Sequence, residues 1–567
     1  VALAFLFVAF RTPNEEKDKP LVADKVFING KIITVDSINS IVQAIAVQGG
    51  KIIAVGTNDQ ISTHKSTTTE IIDLRGRTVV PGFIDGHSHF MSFGRASLAN
   101  LNPPPVGSIR KIADLVSELK AFQAQKGLKD GEWIRGFGYD VDQLEEKRHP
   151  TKEDFDAAFP NNPVVITHVS GHMSVANSAA LRLAGINANT VDPPGGVIER
   201  KTNSNEPTGL FQERAQGLVR VNISSSTSGS LEERLAQLKE QQLYYASFGV
   251  TTAQDGSTGF ESLELLREAA QRGELIIDIE TLPSYTILDK VLGNPNYQFG
   301  VLTNRLKLNG FKYISDGSPQ GKTAYFGKAY LTKVPGCNGE ECRGFPTASQ
   351  DDLNEAILKG FKNNLQTFVH CNGDAAIDMY ITAIENANQI LGNSSQNRRP
   401  VVIHSQFVRP DQLDKYKELG MIPALFSNHA FFWGDVHEQN LGYERAKFLS
   451  PLKTTIKKNI IATNHTDFGV TPINQLFLLW TSVERKSRSG KVIGPEERLT
   501  PLEGLRAITI NGAYQYFEEA SKGSIEPGKL ADLVILSDDP TTVVPAQIKD
   551  IQVLETIKEG KTIFKKN

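Results

Sequence analysis

TVVPGFIDGHSHF, residues 78–90, is an apolar, β-branched run that ends in two histidines, His87 and His89, two positions apart. On an extended strand, residues two apart point to the same face, so both imidazoles can grip one ion. A His-x-His pair alone is also what two half-buried histidines with no metal would look like. The chain has 11 histidines in 567 residues, so the pair gains weight only from what stands at the ends of the other apolar runs.

Those runs, in order, are TVVPGFIDGH (78–87), GVTTAQD (249–255), LIIDIETL (275–282), GFKYISDG (310–317), LQTFVHC (365–371), PVVIHS (400–405), MIPALFS (421–427) and NIIATNH (459–465). They alternate with helical patterns such as LEERLAQLKEQQLYYASF (231–248) and DDLNEAILKGFKNN (351–364), the texture of parallel βαβ units. The strand count is that of a (β/α)8 TIM-like barrel, in which strand C-termini converge on one mouth. A doubly wound sheet is the alternative, but no Gly-x-Gly-x-x-Gly follows a strand. The stretch from about 91 to 248, with runs of its own such as PVVITHVS (163–170), is too long for one βα connection and reads as a subdomain inserted after the first barrel strand.

Flanking the barrel are short runs broken by Gly: KVFINGKIITV, AIAVQGGKIIAVG and EIIDLRGRTVV before it, GSIEPGKLADLVILS and IQVLETIKEGKTIF after it. These predict a small β-sandwich built from 24–80 plus 515–567, with the barrel occupying 81–514. Residues 1–23 open on VALAFLFVAF, too short to span a bilayer but suited to the apolar part of an export signal, followed by a polar tether. This predicts an exported, periplasmic or envelope-associated protein, and a cytoplasmic one if the segment is not a signal. No later stretch predicts an integral membrane span.

Composition narrows the function. Apolar residues make up 40% and charged residues 22% of the chain, ordinary for a globular protein with a large core. Lys+Arg 61 against Asp+Glu 64 gives a net charge of −3, without the basic field that draws proteins to nucleic acid. Three cysteines are too few for a disulfide framework or a paired Cys-x-x-Cys metal site. Cys337 and Cys342, close together in PGCNGEECRG, either close a small loop in an oxidising compartment or remain two surface thiols. Any metal must be held by His, carboxylate or something less usual.

The candidates stand at the run ends: His370 after LQTFV, His404 after PVVI and Asp467 after NIIATNHT. A buried imidazole or carboxylate at an apolar strand end needs a partner, and a shared metal supplies one. Lys312, between Phe311 and Tyr313, is costly in an apolar strand unless its charge is paired or removed; carbamylation by carbon dioxide would make it a carboxylate able to bridge two metals. Asp467 also has a bland reading as a helix N-cap. In the insertion, His172 with Trp133 and Tyr139 could line a substrate pocket, His172 donating to a carbonyl oxygen. His168 reads as core, Asp374 as a helix cap and Asp316 as a turn residue. Sequons stand at Asn222, Asn393 and Asn464.

As a set, these residues resemble the metal-dependent amidohydrolase superfamily, and more narrowly its YtcJ-like branch, which includes N-substituted formamide deformylases. The resemblance extends through WIRGFGYD (133–140), SGHMSVANSAAL (170–181), DPPGGVIER (192–200), EPTGLFQERA (206–215), FKYISDGSPQGKTA (311–324), VHCNGDAAID (369–378) and GSIEPGKLADLVIL (523–536). It implies an α/β fold with a distorted barrel beside a sandwich made from both termini. It also implies one or two divalent ions, zinc above all: His87 and His89 on one, His370 and His404 on the other, carbamylated Lys312 bridging, and Asp467 completing the first and moving the proton. The implied activity is hydrolysis of a non-peptide, amide-type carbon–nitrogen bond in a small molecule by a metal-activated hydroxide, with Asp467 catalytic; His172, from its place in the insertion rather than from the resemblance, is the second catalytic candidate. An esterase or phosphoesterase on the same fold, or a silent binding or regulatory member, is the alternative. The sequence is compatible with a homo-oligomer. Where the family has a Gly-Ser-Asp-like approach to its last aspartate, this chain has Asn464-His465-Thr466-Asp467; His465 would add a ligand, carry a proton or, as favoured here, narrow the pocket.

Overall fold

The computed structural model describes residues 21–92, 98–220, 229–337, 341–392 and 396–566. The leader at 1–10 and the sequons at Asn222 and Asn393 lie outside them.

LVIL (Leu533–Leu536) shows how the local pattern builds the whole. All four residues are buried. Leu533 and Ile535 enter one apolar cluster with Phe27, Ile45 and Val79, while Val534 and Leu536 enter another with Phe83, Val250 and Ile279. A strand apolar at every position is one covered on both faces, and here the two faces look into two cores. The strand links the chain ends to the parallel strands. It pairs antiparallel with Thr78–Pro81 (Ile535 opposite Val79) in a six-stranded sheet ordered 561–565, 553–558, 533–536, 78–81, 31–33, 41–42. A four-stranded sheet, 51–56, 44–48, 25–28, 70–73, contributes to the same small core.

TVVPGFIDGH is not one strand. Thr78–Pro81 belongs to the terminal sheet and Phe83–Ile84 to the next layer. Gly82 sits at the switch, where a Cβ would come within 2.3 Å of Thr251 Oγ1. From there the strands are all parallel, in two sheets: 306–308, 278–283, 250–258, 83–84, and 310–314, 366–371, 401–404, 422–425, 463–464. The expected run 310–317 thus continues a strand begun at 306, and the run 459–465 contributes only two strand residues. The chain crosses between sheets at Asn309-Gly310, where a Cβ on Gly310 would lie 2.0 Å from the Gln366 carbonyl oxygen. The sheets also touch at Ser284 opposite Lys312 and, on the other side, at Ser88 opposite Phe468, where the Asp467 N–H donates to the His87 carbonyl at 3.0 Å.

Inside, both sheets feed one cluster: Ile84 and Leu282 from the first, Phe368, Ile403 and Ala424 from the second, with Tyr516. Outside, helices Gln350–Lys362 and Asp374–Leu391 lay Leu353, Ile357, Ile377 and Ile384 against Val369 and Val402. Between Phe83–Ile84 and Val250–Thr258 stands a further six-stranded sheet, 196–200, 207–213, 173–176, 164–168, 134–139, 99–100, with its own core around Leu119, Phe155, Ile166 and Leu210.

Beneath the strands lies a buried ionic knot. Asp278 takes Lys522 Nζ at 2.5 Å and Lys558 Nζ at 2.8 Å, and Lys558 also reaches Asp532 at 2.7 Å. It ties the C-terminal strands to the parallel sheet. Among the described residues, no helix is long and apolar enough to cross a membrane. Cys337 and Cys342 are joined in a disulfide, which closes the small loop, and Cys371 is a buried free thiol.

Candidate metal centre

At the C-terminal ends of the parallel strands, ligand atoms of His87, His404 and Asp467, all buried, lie within 4.8 Å of one another. His87 Nε2 is 3.6 Å and His89 Nε2 3.4 Å from Asp467 Oδ1. The His370 and His404 rings stand 4.6 Å apart, centroid to centroid, and Lys312 Nζ is 3.1 Å from His87 Nε2. The six residues expected to hold metal therefore converge. On the second-sheet side His370 and His404 stand at strand ends, Lys312 lies within a strand and Asp467 follows one; His87 and His89 come from the turn after Phe83–Ile84.

Each side chain is aimed by a partner. His87 Nδ1 is 2.5 Å from Gln254 Oε1, which accepts its N–H and leaves Nε2 as the unprotonated nitrogen that faces Lys312 and the cluster. His370 Nδ1 donates to Asp316 Oδ1 at 3.0 Å, and Asp316 is itself fixed by N–H groups of Tyr325, Asn372 and Gly373. Asp85 accepts from the Thr466 N–H at 3.1 Å, pinning the approach to Asp467. His404 (φ 71°) and Asp467 (φ 49°) both adopt left-handed backbone, a conformation that costs non-glycine residues energy and concentrates at functional sites. Neither is a helix cap: Asn474 caps the helix after Asp467.

Electrostatics favours ligation. Burial, reinforced by Lys312, pushes the His87 imidazolium well down, and burial with the neighbouring His370 does the same for His404, so both rings are neutral lone-pair donors. Burial opposes ionisation of Asp467, but the His89 hydrogen bond and the imidazoles of His87 and His89 outweigh it and hold the carboxyl below its ordinary range. Burial brings Lys312 down to about 7. Three or four imidazoles, one carboxylate and an amine at the edge of neutrality, meeting without a cation of their own, form a donor set of the kind that binds a divalent ion.

A cavity of about 670 Å³ opens on this cluster, walled by His89, Lys312, His370, His404 and Asp467 and, from the insertion, by His172. His172 Nδ1 lies 2.8 Å from Glu213 Oε2, and its ring is 5.0 Å from that of His370. Trp133 and Tyr139, expected beside it, are elsewhere. Trp133 packs on the Val165–Phe211 cluster. Tyr139 is fully buried, its hydroxyl 3.0 Å from His149 Nδ1 and its ring against His168, which is core as expected. They serve different parts of the insertion: Tyr139 ends the strand Ile134–Tyr139 inside one apolar cluster, while Trp133, just before that strand and half-buried, covers another. Asp374 is the first helical residue rather than the cap, which is Gly373; its carboxylate accepts from the Gly327 N–H at 2.9 Å. His465 does not narrow the cavity. It is wholly buried, stacked on Phe426 at 4.7 Å and 5.2 Å from the His87 ring. Asn464, also fully buried, spends its amide on Ser427 Oγ at 2.8 Å, so that sequon is closed in the folded chain.

Sequence reasoning missed three residues. Gln254 and Glu213 were not singled out, and Asp316 was read only as a turn former. The signal for Gln254 was a large polar side chain inside an apolar strand; for Glu213 it was an acid ending one, and for Asp316 an acid just beyond one.

Residues 70–564 match the amidohydrolase family. The N-substituted formamide deformylase of Arthrobacter pascens is 28% identical over 556 residues, covering 95% of this chain and 97% of that protein. The putative amidohydrolase YtcJ of Bacillus subtilis is 28% identical, covering 93% and 96%. Among solved structures, an uncharacterized metal-dependent hydrolase from Pyrococcus furiosus superimposes with a TM-score of 0.68 at 26% identity, covering 91% of this chain and 100% of that one.

Proposed function

The chain belongs to the amidohydrolase family and is a metal-dependent hydrolase, and on that footing we propose that it cleaves a non-peptide, amide-type carbon–nitrogen bond in a small molecule, using a metal centre held by His87, His89, His370, His404, Asp467 and a carbamylated Lys312. The convergence of buried His87, His404 and Asp467 at the cavity floor carries this reading. The naming of an Arthrobacter relative as a formamide deformylase supports carbon–nitrogen hydrolysis. The two parallel sheets, touching along both sides around one apolar interior, support a distorted eight-stranded barrel, with the terminal sheets as its sandwich. Zinc, as one ion or two, suits the donor set best.

A metal bound here supplies an activated water and a polarised carbonyl. The rest is work for the chain. Neutral His87 and His404 offer lone pairs because Gln254 and burial keep them so. Lys312, with a substantial neutral fraction near pH 7, is able to add carbon dioxide at Nζ, releasing one proton and gaining a carboxylate. Asp467, ionised, accepts the proton of the attacking water and returns it to the amine nitrogen, which leaves poorly unless protonated. His172, steadied through Nδ1 by Glu213, presents its other nitrogen to the cavity, where it meets the carbonyl oxygen as charge develops.

The test compares amine release from an aryl formamide with hydrolysis of the matching formate ester by zinc-loaded protein. Amide turnover that disappears on chelation supports the proposal. Cleavage of the ester alone rejects it.

A further inference from the structure

The upper wall of the cavity carries two guanidinium groups, Arg214 and Arg220, contributed by the insertion. Arg220 is anchored through Nη2 alone, to Gln216 Oε1 at 2.8 Å, Ser174 Oγ at 3.1 Å and Thr167 Oγ1 at 3.3 Å. All three partners are neutral oxygens. Neither arginine forms an ion pair among the described residues, a state they share with other exposed arginines of this chain such as Arg75 and Arg110. Of the acids nearby, Glu213 gives Oε2 to His172 and keeps Oε1 buried without a partner, and Asp352, which caps a helix through Ser349, lies close enough to Arg214 to feel its charge. The same cavity is lined by two aromatic side chains, Tyr285 and Tyr313, with ring centroids 5.2 Å apart. Arg220, held at one nitrogen by neutral oxygens alone, has further N–H groups to offer a carboxylate, which a guanidinium can take bidentately.

Resting on the hydrolase reading above, we propose that the substrate is an N-acyl or N-formyl amine carrying a carboxylate and an apolar or aromatic side group, its carboxylate received by Arg220 and Arg214 while its amide lies at the metal centre. The volume of about 670 Å³ accommodates a ligand of that size.

The experiment uses N-formyl-phenylalanine and its uncharged carboxamide, with zinc-loaded full-length protein, and reads both Kd by calorimetry and formate release. Wild type binds the carboxylate at least tenfold more tightly than the carboxamide, and the preference shrinks as salt is raised. Arg220→Gln and Arg214→Gln each weaken the carboxylate several-fold and leave the carboxamide within twofold, while Arg220→Lys retains part of the preference. Equal affinity of wild type for the two probes, failure of either to bind, or an equal loss of both in the variants overturns the inference. Formate release from both probes with charge-blind binding keeps the hydrolase reading and rejects the carboxylate site. Charge-dependent binding without release from either probe does the reverse.

Discussion

Asp316 Oδ1 accepts the Nδ1 hydrogen of His370 at 3.0 Å while its other oxygen takes the backbone N–H of Gly373 at 2.8 Å. One buried carboxylate thus fixes both the tautomer of a metal-facing imidazole and the start of the helix behind it. Burial by itself pushes His370 down, and Asp316 works against it, so the ring keeps basicity toward an ion.

Replacing Asp316 with Asn leaves an amide that cannot accept from all of these donors. Zinc affinity should fall by about 10–100-fold, measured by competition with a chromophoric chelator, with circular dichroism unchanged. Unchanged affinity would place Asp316 in the turn alone.

Lys312→Met should remove activity while preserving the fold, because a thioether of similar length fills the same buried strand position. Short-chain carboxylic acids added to Lys312→Ala should restore part of the lost turnover by standing in for a carbamate. A fully active Lys312→Met protein would remove Lys312 from the centre.

His172→Gln should leave the metal content of the protein unchanged and lower kcat by about 10²–10³-fold, the usual loss when one donor to a developing oxyanion is removed. A loss of metal instead would make His172 a ligand rather than a group acting on substrate.

Asp278 sets part of the acid stability. Burial raises its pKa, but Lys522 and Lys558 outweigh burial and hold it below the ordinary carboxylate range. A carboxyl with a depressed folded pKa stabilises the fold above its unfolded pKa of about 3.9 and loses that contribution as pH falls toward the folded value. Urea unfolding of wild type should therefore weaken below about pH 4. Asp278→Asn removes the carboxylate that Lys522 and Lys558 share and leaves them to Glu518 and Asp532, so it should cost less than the roughly 3–5 kcal/mol of a fully orphaned buried charge at pH 7 and show a flatter acid limb. An identical acid limb in the variant would contradict this.

How much of this was legible beforehand depended on how local the cause was. His87 and His89 announced themselves by spacing, and His370, His404 and Asp467 by ending runs of Val, Ile and Phe, because a polar group at a buried strand end is anomalous on its face. Lys312 was legible for the same reason. The residues that aim them were not. Gln254 meets His87 from 167 positions away, a meeting fixed by sheet curvature rather than by any pattern in the chain. Trp133 and Tyr139 misled because amphipathic side chains beside a motif serve an interior as readily as a pocket. The split of TVVPGFIDGH at Gly82 was hidden as well, since an apolar run looks the same whether it belongs to one sheet or passes between two.

The central claim is that the cluster at the strand ends is a working metal centre. Metal content per chain, determined by inductively coupled plasma mass spectrometry on chelator-free protein and on His87→Ala, with amide hydrolysis assayed on both, tests it most directly. The account predicts one or two equivalents of zinc or a similar ion in wild type, little or none in the folded variant, and activity that follows the metal. A folded wild type that takes up no metal when it is supplied with bicarbonate, or a His87→Ala protein with full metal content and full activity, would contradict it.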